Sequence, residues 1–261
     1  MEQEFSGKIA WITGAGGALG AAIARTLAAQ GATTYLSGRK PDTLEAVAGE
    51  IRRNAGDRAV VLPADVTSRQ DVDRAAATIL AAHGRVDLLV NSTALPIFGA
   101  FLELTDDDWD QVLQAKVMGY VRAMRAVLPS MVAQRFGRIV NVSGRGGRQP
   151  TPAHLPGCAA NAAVNLLTKG IADIYGKDNV RANAVAPGPI ETPRLTTIAS
   201  SNEALAQKGQ TGGRPANAPT PLQRLGTPQD IANAVAYLLS ERSGFVTGTV
   251  HAVDGGGTAT L

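Results

Sequence analysis

The sequence predicts an α/β protein: a doubly wound, parallel, seven-stranded sheet with helices on both faces. Three observations carry this. Seven short apolar runs alternate with longer amphipathic stretches: IAWIT at 9, TTYLS at 33, AVVLPAD at 59, VDLLVN at 86, RIVNVS at 138, VRANAVA at 180 and TVHAV at 249. That is the order of strands buried on both faces and the helices that connect them. A glycine-rich turn, TGAGGALG over 13–20, sits between the first run and the first helix. Finally, 261 residues with 44% apolar and 18% charged content can bury one sizeable core, and no linker or shift in composition divides them. One domain over 1–261 is expected.

Taken in order, the first helix spaces Leu19, Ile23 and Leu27 four apart and stops at Gly31, which suits a left-handed cap. Ser68 with Asp71, and Thr105 with Asp108, have the spacing of capping boxes with Asp in place of Glu or Gln. Asp106 to Asp108 favour the positive end of the second of these helices. These acids read as caps rather than ligands, and no metal site is expected. Further along that helix, Trp109, Val112, Leu113, Lys116 and Tyr120 share one face, so Lys116 interrupts an apolar stripe. Its ammonium either snorkels outward or points into a cleft. The polar, Gly-, Pro- and Ala-rich stretch over 194–221 reads as a long loop, either a flexible substrate lid or a disordered segment.

The charge balance, Lys+Arg 25 against Asp+Glu 22, leaves a net of +3, too weak and scattered to imply nucleic acid or a membrane surface. No run approaches the roughly 18 apolar residues that span a bilayer. The single cysteine, Cys158, forms no internal disulfide, and MEQEF does not resemble a secretory signal. A cytoplasmic protein acting on a small molecule is expected.

Glycines at 14, 16, 17 and 20 let backbone approach a pyrophosphate, while the following helix offers unpaired N–H groups and a partial positive charge. The turn therefore reads as a dinucleotide site. The second strand runs into SGRK. An NAD site places an acid there for the ribose 2′-hydroxyl, whereas Gly38 supplies none and Arg39 offers a cation to a 2′-phosphate. NADP(H) is preferred over NAD(H), unless Arg39 and Lys40 are only solvated loop charges.

With TGAGGALG, DVTS at 65, HGRVDLLVNSTA at 83, GRIVNVSG at 137, NAVAPGPIETPR at 183, PLQRLGTPQDIA at 221 and FVTGTVHAVDGG at 245, the chain resembles the short-chain dehydrogenases/reductases (SDR) from about residue 7 to 257. The resemblance implies a Rossmann-type domain whose C-terminal part completes the substrate cleft. It implies cofactor contacts at Gly14, Gly16, Gly17, Leu19, Gly20, Ser37 and Arg39, with Asp65 and Val66 flanking the adenine and Asn91 near its ribose. Pro187, Gly188, Ile190 and Thr192 would hold the nicotinamide. It also implies a dimer or tetramer built from the helices at about 105–131 and 156–175. Two departures touch the cofactor, Ala18 for the second glycine of the turn and NSTA for NNAG, and a methyl at 18 narrows the approach to the pyrophosphate.

Members of this family transfer hydride to a carbonyl while a tyrosine supplies the proton. A lysine lowers that tyrosine's pKa, a serine holds the carbonyl oxygen and an asparagine anchors a water chain. The matching positions here hold Gly157, Asn161, Gly144 and Lys116. The lysine and asparagine look exchanged, which suggests that the Lys116 ammonium replaces the lost cation with Asn161 as its hydrogen-bond partner. The two glycines leave room beside the nicotinamide. His154 is the nearest candidate general acid, with a reference pKa of about 6.5, or else an ordinary loop residue. Ser143 is a substitute for the carbonyl-binding serine, although alternation along a strand turns it away from position 144. Cys158 reads as a packed side chain. Arg145 and Arg148 of RGGR either bind an acidic substrate or stand as solvated loop charges.

Two functions compete. The favoured one is an NADP(H)-dependent oxidoreductase acting on a carbonyl/alcohol pair with a non-standard site at Lys116, Asn161 and His154. The other is a catalytically inactive, cofactor-binding or structural subunit in a homo-oligomer, or in a hetero-oligomer with an active relative. A lyase or isomerase has no positive mark in the sequence.

Overall fold

In the computed structural model, which describes residues 3–209 and 220–259, all seven apolar runs are strands of one parallel sheet. They are β1 (Ile9–Thr13), β2 (Thr33–Ser37), β3 (Ala59–Val61), β4 (Leu88–Asn91), β5 (Gly137–Val142), β6 (Val180–Pro187) and β7 (Val250–Val253). Their order, β3-β2-β1-β4-β5-β6-β7, reverses the winding between β1 and β4. In open sheets of this kind ligands bind beyond the C-terminal strand ends at that reversal.

Each face has its own core because side chains alternate along a strand. Ala10 and Ile12 face α1 (Ala18–Ala29), α2 (Pro41–Ala55) and α8 (Pro228–Leu239), packing with Ile23, Leu27 and Val235. Ile9 and Trp11 face α3 (Arg69–His83), α5 (Gly119–Ala133) and α6 (Leu155–Tyr175), packing with Ile79, Val127 and Val164. On this second face the register sets Thr13, Asn91 and Asn141 side by side at the strand ends. Thr13 donates to Asn91 (3.1 Å), Asn91 to Asn141 (2.9 Å) and Asn141 to Thr168 on α6 (3.0 Å). A fully paired chain of this kind locks register where an unpaired amide would be costly.

The expected caps form. Ser68 accepts from the Asp71 amide, although the Asp71 carboxylate accepts from the Asp65 amide instead of completing the expected box, and Thr105 closes a full capping box with Asp108. Thr227 and Asp230 make another at α8. Each is worth about 1 kcal/mol. Gly31 adopts φ +100° just after α1, as its cap reading required.

Two features depart from expectation. The helix starting at Asp106 is not continuous: α4 (Asp106–Leu113) passes through a π turn, Gln114–Met118, before α5. The segment over 194–221 begins as helix α7 (Pro193–Gln207) rather than loop, and its part over 210–219 lies outside the described residues. Among the described residues, no helix is long and apolar enough to cross a membrane.

Candidate active site

At the C-terminal ends of β1, β4, β5 and β6 lies a cavity of about 570 Å³, within the size range of small-molecule sites. Its first wall is the glycine turn. Gly14 has φ +70°, and a Cβ there would lie 2.5 Å from the Ser92 carbonyl oxygen. A Cβ on Gly20 would come within 2.2 Å of the Gly14 oxygen. The N-terminus of α1 has no side-chain cap and no acid in its first turn, so its amides remain available to an anion. Ala18 is exposed at the rim, where its methyl narrows the entrance without plugging it.

The opposite wall is the loop leaving β6. Pro187, Gly188, Ile190 and Thr192 all line the cavity, and Gly188 packs so closely on Asp254 that a Cβ would sit 2.5 Å from that residue's own. α7 forms the roof, held by Leu205 against Ala100 and Ala153 and by an exposed Lys208–Glu103 pair. Few buried contacts hold this roof, the usual property of an element that opens.

Lys116 enters from the π turn and is buried to 6% exposure. π turns insert a residue into the helical phase and often occur at functional sites. Its Nζ donates to the Ser143 carbonyl at 2.9 Å, and it lines the cavity. Burial and the nearby Arg194 guanidinium push its amine down to about 7. One turn on, the Tyr120 hydroxyl sits between the carbonyls of Thr93 and Val142, pinning the helix to the ends of β4 and β5.

His154 precedes α6. A carbonyl only accepts, so the 2.8 Å contact of Nδ1 with the Ile97 oxygen requires the proton on Nδ1. Nε2 then accepts from Arg194 Nη2 at 2.9 Å. Burial, and next the Arg194 charge, lower its pKa to about 4.

A family model described as enoyl-(acyl carrier protein) reductase matches residues 14–258. The chain belongs to the short-chain dehydrogenase/reductase family. It is 35% identical over 253 residues to nodulation protein G of Rhizobium meliloti, covering 97% of this chain and 98% of the relative. It is 32% identical over 256 residues to the 3-oxoacyl-(acyl-carrier-protein) reductase of Aquifex aeolicus, covering 98% of this chain and 99% of that one. Among solved structures it resembles L-sorbose reductase of Gluconobacter frateurii complexed with NADPH and L-sorbose, with a TM-score of 0.89, 29% identity and complete coverage of both chains.

Within the cavity, two glycines interlock with neighbouring side chains. A Cβ on Gly157 would lie 1.8 Å from His154 Nε2, so the imidazole occupies the space in which a side chain at 157 would begin. A Cβ on Gly144 would lie 2.8 Å from Asn161 Nδ2. The room expected beside the two glycines is thus taken by His154 and Asn161.

Several expectations need correction. Lys116 does point into the cleft, but it bonds to Ser143 rather than Asn161, whose buried Oδ1 has no hydrogen-bond partner. His154 has its Nδ1 proton on the Ile97 carbonyl and its Nε2 lone pair on Arg194, an arrangement that holds the ring neutral rather than as the protonated acid expected. The Ser37 hydroxyl is spent inside the sheet, accepting from Trp11 and donating to the Leu62 carbonyl. The Asn91 side chain belongs to the polar chain through the sheet, so only its backbone is left for a ribose. Ser143 donates its hydroxyl to Val185, and Arg148 turns away to Val250, leaving Arg145 as the RGGR arginine on the cavity. Asp65 receives the Thr67 amide and hydroxyl at the loop after β3, Val66 packs beside Gly119, and Arg39 is exposed at the end of β2. Cys158 is packed, its thiol pushed up by burial. Arg194 and Asn202 on α7 escaped sequence reasoning. PGPIETPR contains the arginine, but only the helix aims it inward.

Lys116 has a measurable signature. Between pH 7 and 10.5 the folded chain holds it neutral while the unfolded chain holds it protonated. The unfolded state therefore binds more protons, and stability rises with pH across that window. Lys116→Met is expected to raise the melting temperature of the cofactor-free protein by several degrees at pH 6, with the advantage fading toward pH 10. Thermal denaturation across pH checks this, and a pH-independent difference would contradict the assignment.

Proposed function

We propose that this protein is an NADP(H)-dependent oxidoreductase acting on a carbonyl/alcohol pair, with Lys116 as the cation and proton donor at the reacting oxygen. The observation that carries the reading is a buried lysine opening onto the same cavity that the glycine turn and the 187–192 loop enclose. The glycine cradle, the uncapped N-terminus of α1 and Arg39 at the end of β2 fit a phosphorylated dinucleotide. Bound there, the nicotinamide supplies or accepts the hydride. Lys116 Nζ stabilises negative charge developing on the carbonyl oxygen and delivers a proton to it, for which a pKa of about 7 is well matched. The Ser143 carbonyl orients the amine.

Titration calorimetry with NADPH and with NADH tests the cofactor assignment. NADPH is expected to bind more tightly, and Arg39→Ala to reduce that preference by roughly tenfold or more, the worth of a charge-assisted contact to a phosphate. Equal affinities in the parent protein would reject the assignment.

The filled space at Gly157 favours a second reading, a subunit that binds cofactor without turnover. Tight NADPH binding with no oxidation across a broad panel of ketones and oxo acids would establish that reading. For assembly we propose a homo-oligomer packed across α6, where Leu166 and Ile174 are 77% and 57% exposed.

A further inference from the structure

The cavity is charged on one side only. Lys116, Arg145 and Arg194 line it, and among the described residues no aspartate or glutamate does. Neither Lys116 nor Arg194 has a carboxylate partner among the described residues. Their hydrogen bonds go to neutral acceptors, the Ser143 carbonyl and His154 Nε2. An ammonium has three donors and a guanidinium five, so most of this donor capacity is unspent. Withdrawing a lysine and a half-buried guanidinium from water without an anion disfavours their charged forms, and burial lowers the pKa of both.

Two amides add a second, independent observation. Asn161 Oδ1 and both polar atoms of the Asn202 side chain are buried without hydrogen-bond partners. Both residues line the cavity, at 7% and 8% exposure. Buried polar groups are normally paired, so orphans on two elements facing one cavity mark where a polar ligand completes the structure. His154 contributes to the same arrangement. Its neutral Nε2 holds the Arg194 guanidinium without cancelling its charge, and the Phe98 ring lies 5.5 Å from the guanidinium.

We propose that the cavity recognises a small oxo or hydroxy acid, with the substrate carboxylate on Arg194, the reacting oxygen toward Lys116, and Asn161 and Asn202 pairing its remaining polar groups. The placement beside the nicotinamide rests on the proposed function, whereas the anion site itself does not. The cavity also borders the phosphate turn, so a pyrophosphate is the competing source of anionic oxygens.

Calorimetric titration of the full chain with malonate and with neutral malonamide, each with and without saturating NADPH, separates the two. Malonate is expected to bind at least about tenfold more tightly than malonamide, and Arg194→Met to abolish that preference while changing NADPH affinity by less than about threefold. Asn202→Asp places a carboxylate in the cavity. It is expected to abolish malonate binding and raise the melting temperature, which keeps the test intact should Arg194→Met fail to fold. Equal binding of the two probes, or no malonate binding, overturns the proposal. So does an Arg194→Met variant that weakens NADPH and spares malonate, since the cations would then serve the pyrophosphate. Malonate binding without NADPH binding would remove the cofactor reading and leave this one standing.

Discussion

Lys116→Met is expected to lower kcat for NADPH-dependent carbonyl reduction by about 10²–10³-fold, the usual loss when one pre-organised donor to a developing oxyanion is removed. Lys116 is the cavity-lining amine drawn down to about 7, and among the described residues it is the group there able to hold positive charge and release a proton near neutrality. Methionine keeps most of the stem and removes the charge. NADPH affinity measured beside the rate separates lost chemistry from lost folding. Lys116→Arg should recover part of the rate through charge alone, without the fall as pH rises through about 7 expected of the parent, because a guanidinium does not release its proton there. Unchanged turnover in Lys116→Met would remove the lysine from the mechanism.

The second large effect concerns Gly157. Placing a tyrosine at this position alone, as Gly157→Tyr, is expected to destabilise the protein by about 3 kcal/mol and to yield no gain in reductase activity. The new Cβ would sit 1.8 Å from His154 Nε2, forcing the ring off both Ile97 and Arg194. Truncating the ring removes the collision, so Gly157→Tyr combined with His154→Ala should recover at least half of the lost stability. Denaturant unfolding of the two singles and the double reads the coupling directly, and simple additivity would show that the two residues do not compete for one space. The same logic applies at Gly144, where a serine would press on Asn161. Gly157 with His154, and Gly144 with Asn161, are therefore expected to behave as matched pairs.

How much of this was legible in advance differs by layer. The strands at 9, 33, 59, 86, 138, 180 and 249, the caps at Ser68 and Thr105 and the left-handed Gly31 all followed from local rules, because alternation, capping and positive φ involve residues close in the chain. The glycine turn was legible for the same reason. For Ser37 and Asn91 the structure adds the side-chain pairing, because proximity to a cofactor motif does not say which way a side chain faces. Trp11 claims one and Thr13 with Asn141 the other, across strands 26, 78 and 50 positions apart.

The sequence by itself determined the sheet, its caps, the glycine-rich turn between β1 and α1 and the presence of a lysine where an apolar stripe should continue. Only the tertiary structure decided where that lysine points and what it bonds, that His154 pairs with Ile97 and Arg194, and that Asn202 joins the cavity at all. The reason is physical. Helix and strand patterns are set by neighbours a few residues away, whereas burial, protonation and pairing depend on groups brought together from α4 to α7. A π turn that shifts the helical phase and a glycine whose missing side chain admits a distant ring leave no periodic trace in the chain.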